Sequence, residues 1–225
     1  MQTEIRYSPS FAIAHVTLSP REQIRAEAGA MVMKTPSVDI ETSTQGGFFK
    51  GLRRSVLGGE SFFMNTFTAN DHGGLVSFAP ALPGDIVSWP LTGQTVYLQS
   101  GSFIASGAGV DVDSSWGGAK TFFSKEGLFL LKVTGTGDLL ASAYGAIESR
   151  EIGPGEQLTV DTGHMVGWSE GVQYNVRKVG GWKSTMLSGE GLVVDLTGPG
   201  RIYLQTRSPD DFVSWLVPRL PTNRN

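Results

Sequence analysis

Leu18-Ser-Pro20-Arg-Glu22-Gln23-Ile24, running on to Gly29-Ala-Met31-Val32, decides how this chain is read, because it comes back. It returns as Ile152-Gly-Pro154-Gly-Glu156-Gln157-Leu158, running on to Gly163-His-Met165-Val166. Both copies span fifteen residues without a gap, with Pro, Glu, Gln, Gly, Met and Val at equal positions. A degraded middle copy begins at Leu82-Pro83-Gly84-Asp85-Ile86 and reaches Gly101-Ser-Phe103-Ile104 after a longer insert around Ser88–Tyr97. Copies of one unit bury their core between equivalent pieces, so the repeat predicts a shape before it predicts any chemistry.

The unit has a second half. A glycine pair precedes a short segment ending in an acid, and a strand follows: Gly46-Gly47 to Glu60-Ser-Phe-Phe63, Gly117-Gly118 to Glu126-Gly-Leu-Phe129, Gly180-Gly181 to Glu190-Gly-Leu-Val193. Ile24-Arg-Ala-Glu, Ser37-Val-Asp-Ile-Glu-Thr, Leu158-Thr-Val-Asp, Val172-Gln-Tyr-Asn-Val176 and Ile202-Tyr-Leu-Gln-Thr alternate apolar and polar residues. That period of two is the mark of strands with one buried face. The expectation is an all-β chain of three tandem β-roll repeats, at 1–79, 80–148 and 149–207, with a short helix and tail at 208–225. In the tail, Ser208 stands at an N-cap with Pro209 behind it and acids in the first turn. Phe212, Trp215 and Leu216 share one face, and Pro218 ends the helix. Two turns are stable only when docked, and docking on its own chain is the expectation.

Composition excludes several function classes. Glycine is 30 of 225 residues, spread between short apolar runs, which is the punctuation of tight turns. The formal charge of −3 gives no attraction to a polyanion. With no cysteine there are no disulfides, thiolate metal sites or cysteine nucleophiles. The N-terminus has neither signal-peptide nor transit-peptide layout, and no apolar run approaches the ~20 residues of a membrane span. A cytoplasmic protein is expected.

A search for reaction chemistry finds none. His15, His72 and His164 fall at different places in the unit, so no clustered metal site of the cupin kind is expected. Gly180-Gly-Trp-Lys183-Ser-Thr185 misses the phosphate-loop pattern, with Trp182 before the lysine and Lys178 where the first glycine belongs. Gly107-Ala-Gly109, Gly135-Thr-Gly137 and Gly153-Pro-Gly155 lack the third glycine of a dinucleotide loop. Glu60, Glu126 and Glu190, like Glu22, Asp85 and Glu156, recur with the repeat and are expected to bond turn N–H groups. No catalytic, cofactor-binding or metal-binding residue is assigned, and no cofactor is expected.

Gly29-Ala-Met-Val, Lys50-Gly-Leu, Gly58-Gly-Glu-Ser-Phe-Phe, Ala79-Pro, Gly101-Ser-Phe-Ile-Ala-Ser, Glu126-Gly-Leu-Phe, Tyr144-Gly-Ala-Ile, Val160-Asp-Thr-Gly-His, Ser188-Gly-Glu-Gly-Leu-Val and Tyr203-Leu-Gln-Thr-Arg form a specific set. The chain carrying them resembles the "altered inheritance of mitochondria" biogenesis family, as one of its bacterial members without assigned activity. The resemblance covers nearly the whole chain, to about Arg207. It implies a fold similar to the tryptophan RNA-binding attenuation protein, three β-roll units per chain and a homotrimeric ring of nine units. It supplies no catalytic residues.

The expected function is therefore a non-enzymatic, ring-forming scaffold that meets itself and a further protein partner. The alternative is a small-ligand or nucleic-acid binding module using clefts between units. The acidic balance, with no recurring Lys/Arg cluster, speaks against nucleic acid. Peripheral membrane contact through Phe48–Leu57 or Phe212–Leu216 is a lesser reading. Three features occur once per chain and are the places to look first: the Lys50–Arg54 loop, the Ser88–Tyr97 insert and the Phe212–Leu216 helix.

Overall fold

The computed structural model describes residues 1–42, 64–113, 130–179 and 192–221. Among these the chain is mostly β, with one short α-helix near its C-terminus. Alternation sets the strand faces as expected: in β3 (Gln23–Glu27), Ile24 and Ala26 are fully buried while Gln23 is exposed. A first strand, β1 (Gln2–Arg6), pairs with β2 (Ile13–Leu18).

Three successive stretches of chain are paired in the same way. In the first, β2 and β4 (Met31–Lys34) flank β7 (Gly74–Phe78), while β3 and β5 (Val38–Thr42) flank β6 (Met64–Ala69). In the second, β8 (Ile86–Thr92) and β10 (Phe103–Gly107) flank the C-terminal half of β12 (Leu130–Ser142). Its N-terminal half lies between β9 (Val96–Gln99) and β11 (Val110–Asp113). In the third, β13 (Ile147–Ile152) and β15 (Met165–Ser169) flank β18 (Gly200–Gln205). There β14 (Gln157–Asp161) and β16 (Gln173–Lys178) flank β17 (Leu192–Thr197). β12 takes the place of two strands because no turn interrupts it. Gly135 and Gly137, at φ of 105° and 140°, bend it, a conformation that side chains other than glycine resist.

The stretches are stitched by one further pairing. β10 adds to β3 with Ala105 opposite Ala26, Ser106 opposite Arg25 and Gly107 opposite Ile24. β15 adds to β9 with Gly167 opposite Leu98, Trp168 opposite Tyr97 and Ser169 opposite Val96. Counted from Gly29, Gly101 and Gly163 of the recurring motif, the register is identical at both seams. The result is an eleven-stranded sheet flanked by sheets of four and three strands.

Three apolar cores follow the stretches, and the first two take in residues of the stretch that comes next. The first is built on Val16, Ile24, Phe67 and Phe78 and takes in Ile104 and Ala105 of the second stretch. The second, on Val96, Leu98, Leu131 and Val133, takes in Val166 of the third. The third, on Trp168, Val194, Leu196 and Ile202, receives nothing from the first stretch.

Several expectations need correction. Residues 88–97 are not an insertion: they complete β8 and open β9, in place of β2–β3 and β13–β14. Residues 82–86 lie ahead of β8, one strand before the recurring turn, whose counterpart is the turn after Thr92. There the Gln94 side-chain oxygen accepts from the Thr92 N–H at 2.6 Å. Glu22 and Glu156 do the same for Ser19 and Gly153, at 2.8 and 2.9 Å. Asp85 sits elsewhere and accepts from the neighbouring Ile86 N–H. The second correction concerns the helix, α1 (Pro209–Leu216). Ser208 caps it as expected, accepting from the Asp211 N–H at 3.3 Å, but none of its residues is buried. The expected boundary at Glu148 falls inside β13.

Candidate functional site at two open sheet edges

Each stretch offers two strands to its neighbours, the second and the third in order. At the inner seams these are β3 with β10 and β9 with β15. The two left over are β4, which ends the four-stranded sheet, and β14, which ends the three-stranded one. Among the described residues neither has a partner on its outer side. A sheet edge presents unpaired N–H and C=O groups and is a template for another strand unless it is blocked.

The third strand of every stretch carries a bulge at one and the same place. The register against the partner strand shifts between Met31 and Met33, between Phe103 and Ala105, and between Met165 and Gly167. A bulge re-aims the extra residue, here Val32, Ile104 and Val166. Ile104 and Val166 lie in the core of the preceding stretch, at 1% and 0% exposure. No described stretch precedes Val32, which is 54% exposed, with Met31 and Met33 on either side also exposed. β14 shows the matching deficit. Ile24, Ala26, Val96 and Leu98 are fully buried, but Leu158 and Val160 in the same places are only half-buried. Tyr174 and Val176 beside them are half-buried as well, whereas Val110 and Val112 are covered. The third core thus stands open where the first two receive a residue from the next stretch.

The polar residues singled out in the sequence serve the frame. Burial pushes the Glu22 carboxyl up, but the Met1 ammonium at 2.5 Å and the Ser19 N–H more than offset it, so it lies below the ordinary value of 4.5. Glu156 is lowered too, by the Gly153 N–H first and Arg150 second. Arg25, its guanidinium disfavoured by burial and favoured by Asp111, donates to the Ala108 and Val110 carbonyls across the first seam. His15 Nδ1 lies 2.7 Å from the Ser77 hydroxyl, and His164 Nδ1 donates to the Gln205 carbonyl at 2.8 Å. His72 sits in the turn closed by its own N–H to Asn70. The three are not brought together, and among the described residues no three His, Asp or Glu side chains cluster as metal ligands. No described helix is long and apolar enough to cross a membrane. Glu60, Glu126, Glu190, the Phe48–Leu57 segment with its Lys50–Arg54 loop, and the Gly180–Thr185 motif lie outside the described residues.

Sequence reasoning found the Met-Val motif but not its use, because a strand's neighbour across a seam leaves no mark in its own residues. The available signal was that the three third strands are equally apolar while only two have a stretch before them.

Residues 3–207 match the family described as mitochondrial biogenesis AIM24. The chain belongs to that family. Among AIM24-like relatives, an uncharacterised protein of Streptococcus pyogenes serotype M6 is 30% identical over 233 residues, spanning 100% of this chain and 93% of the relative. The crystal structure of a Streptococcus pyogenes protein, a structural genomics target, superposes with a TM-score of 0.82 at 27% identity, covering 97% of this chain and 99% of that one. Neither relative's description gives an activity, so the AIM24 family brings a fold and leaves the function to be argued from the two edges.

Proposed function

We propose that the chain is three copies of one β-roll unit of the attenuation-protein kind, and that chains assemble head to tail into a homotrimeric ring of nine units acting as a non-enzymatic cytoplasmic scaffold. One observation carries the reading: the pairing used at both inner seams is available again between β14 of one chain and β4 of the next. Carried over without change of register, it sets Met33 opposite Val160, Lys34 opposite Thr159 and Thr35 opposite Leu158, and it delivers Val32 to the open third core. An interface between two different surfaces either closes into a ring or runs on as a filament, and equal steps between nine equivalent units favour closure. The family resemblance supports three chains per ring. Strand addition gives such an interface its backbone hydrogen bonds, and the bulged apolar residue gives it burial.

A homotrimer predicts a molar mass three times the 24.1 kDa of the chain in light scattering at micromolar concentration. A value equal to one chain overturns the reading. The alternative, a ligand-binding module using the clefts between units, draws on the open cleft at the first seam lined by Met1, Arg21, Gln23, Gly107, Thr136 and Asp138. Native mass spectrometry of protein taken from cells decides for it if a small molecule accompanies the chain.

A further inference from the structure

The first strand of each stretch turns one row of side chains to its own core, and the third stretch breaks the pattern. In β2 that row is Ala14, Val16 and Leu18, and in β8 it is Val87, Trp89 and Leu91, at the same register against β7 and β12. All but the half-buried Val87 are buried. In β13 the same places hold Glu148, Arg150 and Ile152, and the two charged residues are exposed.

Within the chain, the back of the following stretch covers this row. Val16 shares the first core with Leu140, and Trp89 lies against Tyr203 with ring centroids 4.0 Å apart. Leu140 and Tyr203 hold one position in two stretches, opposite Ala105 and Gly167 of the third strand and Ser88 and Ser149 of the first. The counterpart in the first stretch is Ser77, opposite Met33 and His15. The head-to-tail step that sets Met33 opposite Val160 therefore also brings the Met33, Ser77 and His15 row of the next chain against Arg150.

The first stretch extends this row by one more strand, because it alone has β1 among the described residues. Glu4 stands opposite His15 and Arg6 opposite Ile13, both more than half exposed. Val87 and Ile147 pack together into the second core, one row along from Trp89 and Tyr203. By the same step Glu148 takes the row of Ile13 and Arg6. The charges then complement one another in both rows, Glu148 against Arg6 and Arg150 against Glu4.

We propose that charge keys the joint between chains: the Glu148 and Arg150 row of one chain docks on the Arg6 and Glu4 row of the next, where the inner seams are apolar. The inference rests on the head-to-tail reading and adds the residues that select the end-to-end partner. No pair inside the chain has to break. Arg6 donates to both Glu4 oxygens at 2.9 and 3.0 Å, and Arg150 donates to Glu156 from one nitrogen at 2.8 Å. Glu148 has no ion-pair partner among the described residues. Joined, the side chains form one alternating run of Glu156, Arg150, Glu4, Arg6 and Glu148, screened less between two sheets than its exposed parts are alone. A displacement by one row sets Arg150 against Arg6, a repulsion that protects the register.

The test is a double-mutant cycle on assembly. Ring dissociation on dilution is followed by light scattering for the native chain, Arg150→Gln, Glu4→Gln and the chain with both changes. Each single change is expected to raise the dissociation concentration about tenfold. The double change is expected to fall well short of the product of the two, because either one removes the same pairing. The two positions lie in different stretches of one chain, so their coupling reads the contact across the joint. Both side chains are exposed in the single chain, and all four forms are expected to fold alike by circular dichroism. Effects that simply multiply, or no effect, overturn the charge key and leave the ring standing. A native chain that stays single at every concentration overturns both.

Discussion

The second and third strands of a stretch meet very different fates depending on where the stretch stands in the chain. At the inner seams, β3 and β9 are capped by β10 and β15, and Ile104 and Val166 vanish into a neighbouring core. At the ends, β14 and β4 keep apolar residues in the corresponding places, and β4 keeps the bulge, but among the described residues neither has a strand on its outer side. The contrast is what the proposed assembly explains: on that proposal the outer edges are seams completed only by another chain. β4 is short and carries a bulge and Lys34, devices that blunt an edge, yet it still exposes Met31, Val32 and Met33 side by side.

The sharpest way to break the comparison is to put the same charge at its two ends. Ile104→Asp places a carboxylate in a closed core, and the chain is expected not to fold, read as loss of a cooperative melting transition. Val32→Asp is expected to fold with an unchanged circular dichroism spectrum and to run as a single chain in light scattering. If both variants behave alike, the contrast between closed inner seams and open outer edges fails.

Milder truncations give the graded version. Ile104→Ala is expected to cost about 2–5 kcal/mol of folding stability by denaturant unfolding. Val32→Ala removes only assembly energy, part of the roughly 1.5–3 kcal/mol that burying such a side chain contributes at each interface. It is read as a rise in the concentration at which the ring dissociates.

A pH series sharpens the role of the turn acids. Glu22 and Glu156 both titrate below 4.5 in the folded chain, so the stability they contribute is complete above that value and is lost as pH falls through their folded values. The melting temperature is expected to drop on acidification below 4.5, and Glu22→Gln to flatten that slope, as checked by thermal scans between neutral and acid pH. Arg177→Ala, which removes an exposed pair with Asp195, is expected to leave the melting temperature unchanged.

Much of this fold was legible in the residues. Alternation at 24–27, 38–42, 158–161 and 202–205 became strand, and Ser208-Pro209 started a helix because capping is a local matter. The middle copy hides its turn because two local signals are missing there. Gln94 replaces the turn acid in a turn one residue shorter, and β12 runs through the point where the other stretches turn. The bulge at Val32 was hidden for a different reason: it depends on how β4 meets β7, which are 40 residues apart in sequence at Thr35 and Leu75. Edge status was not written in any single strand, since β4 and β10 read alike and differ only in what precedes them.

The central claim is that β14 of one chain and β4 of the next pair in the register of the inner seams. Directly opposed residues across an antiparallel pair hold their Cβ atoms about 4.5–5.5 Å apart, close enough for a disulfide, and a slip of one residue turns the side chain to the other face. The measurement is therefore oxidation of a Met33→Cys/Val160→Cys chain beside a Met33→Cys/Thr159→Cys chain, read on a non-reducing denaturing gel. The account predicts covalent trimers from the first and single chains from the second; single chains from both, or equal cross-linking in both, would contradict it.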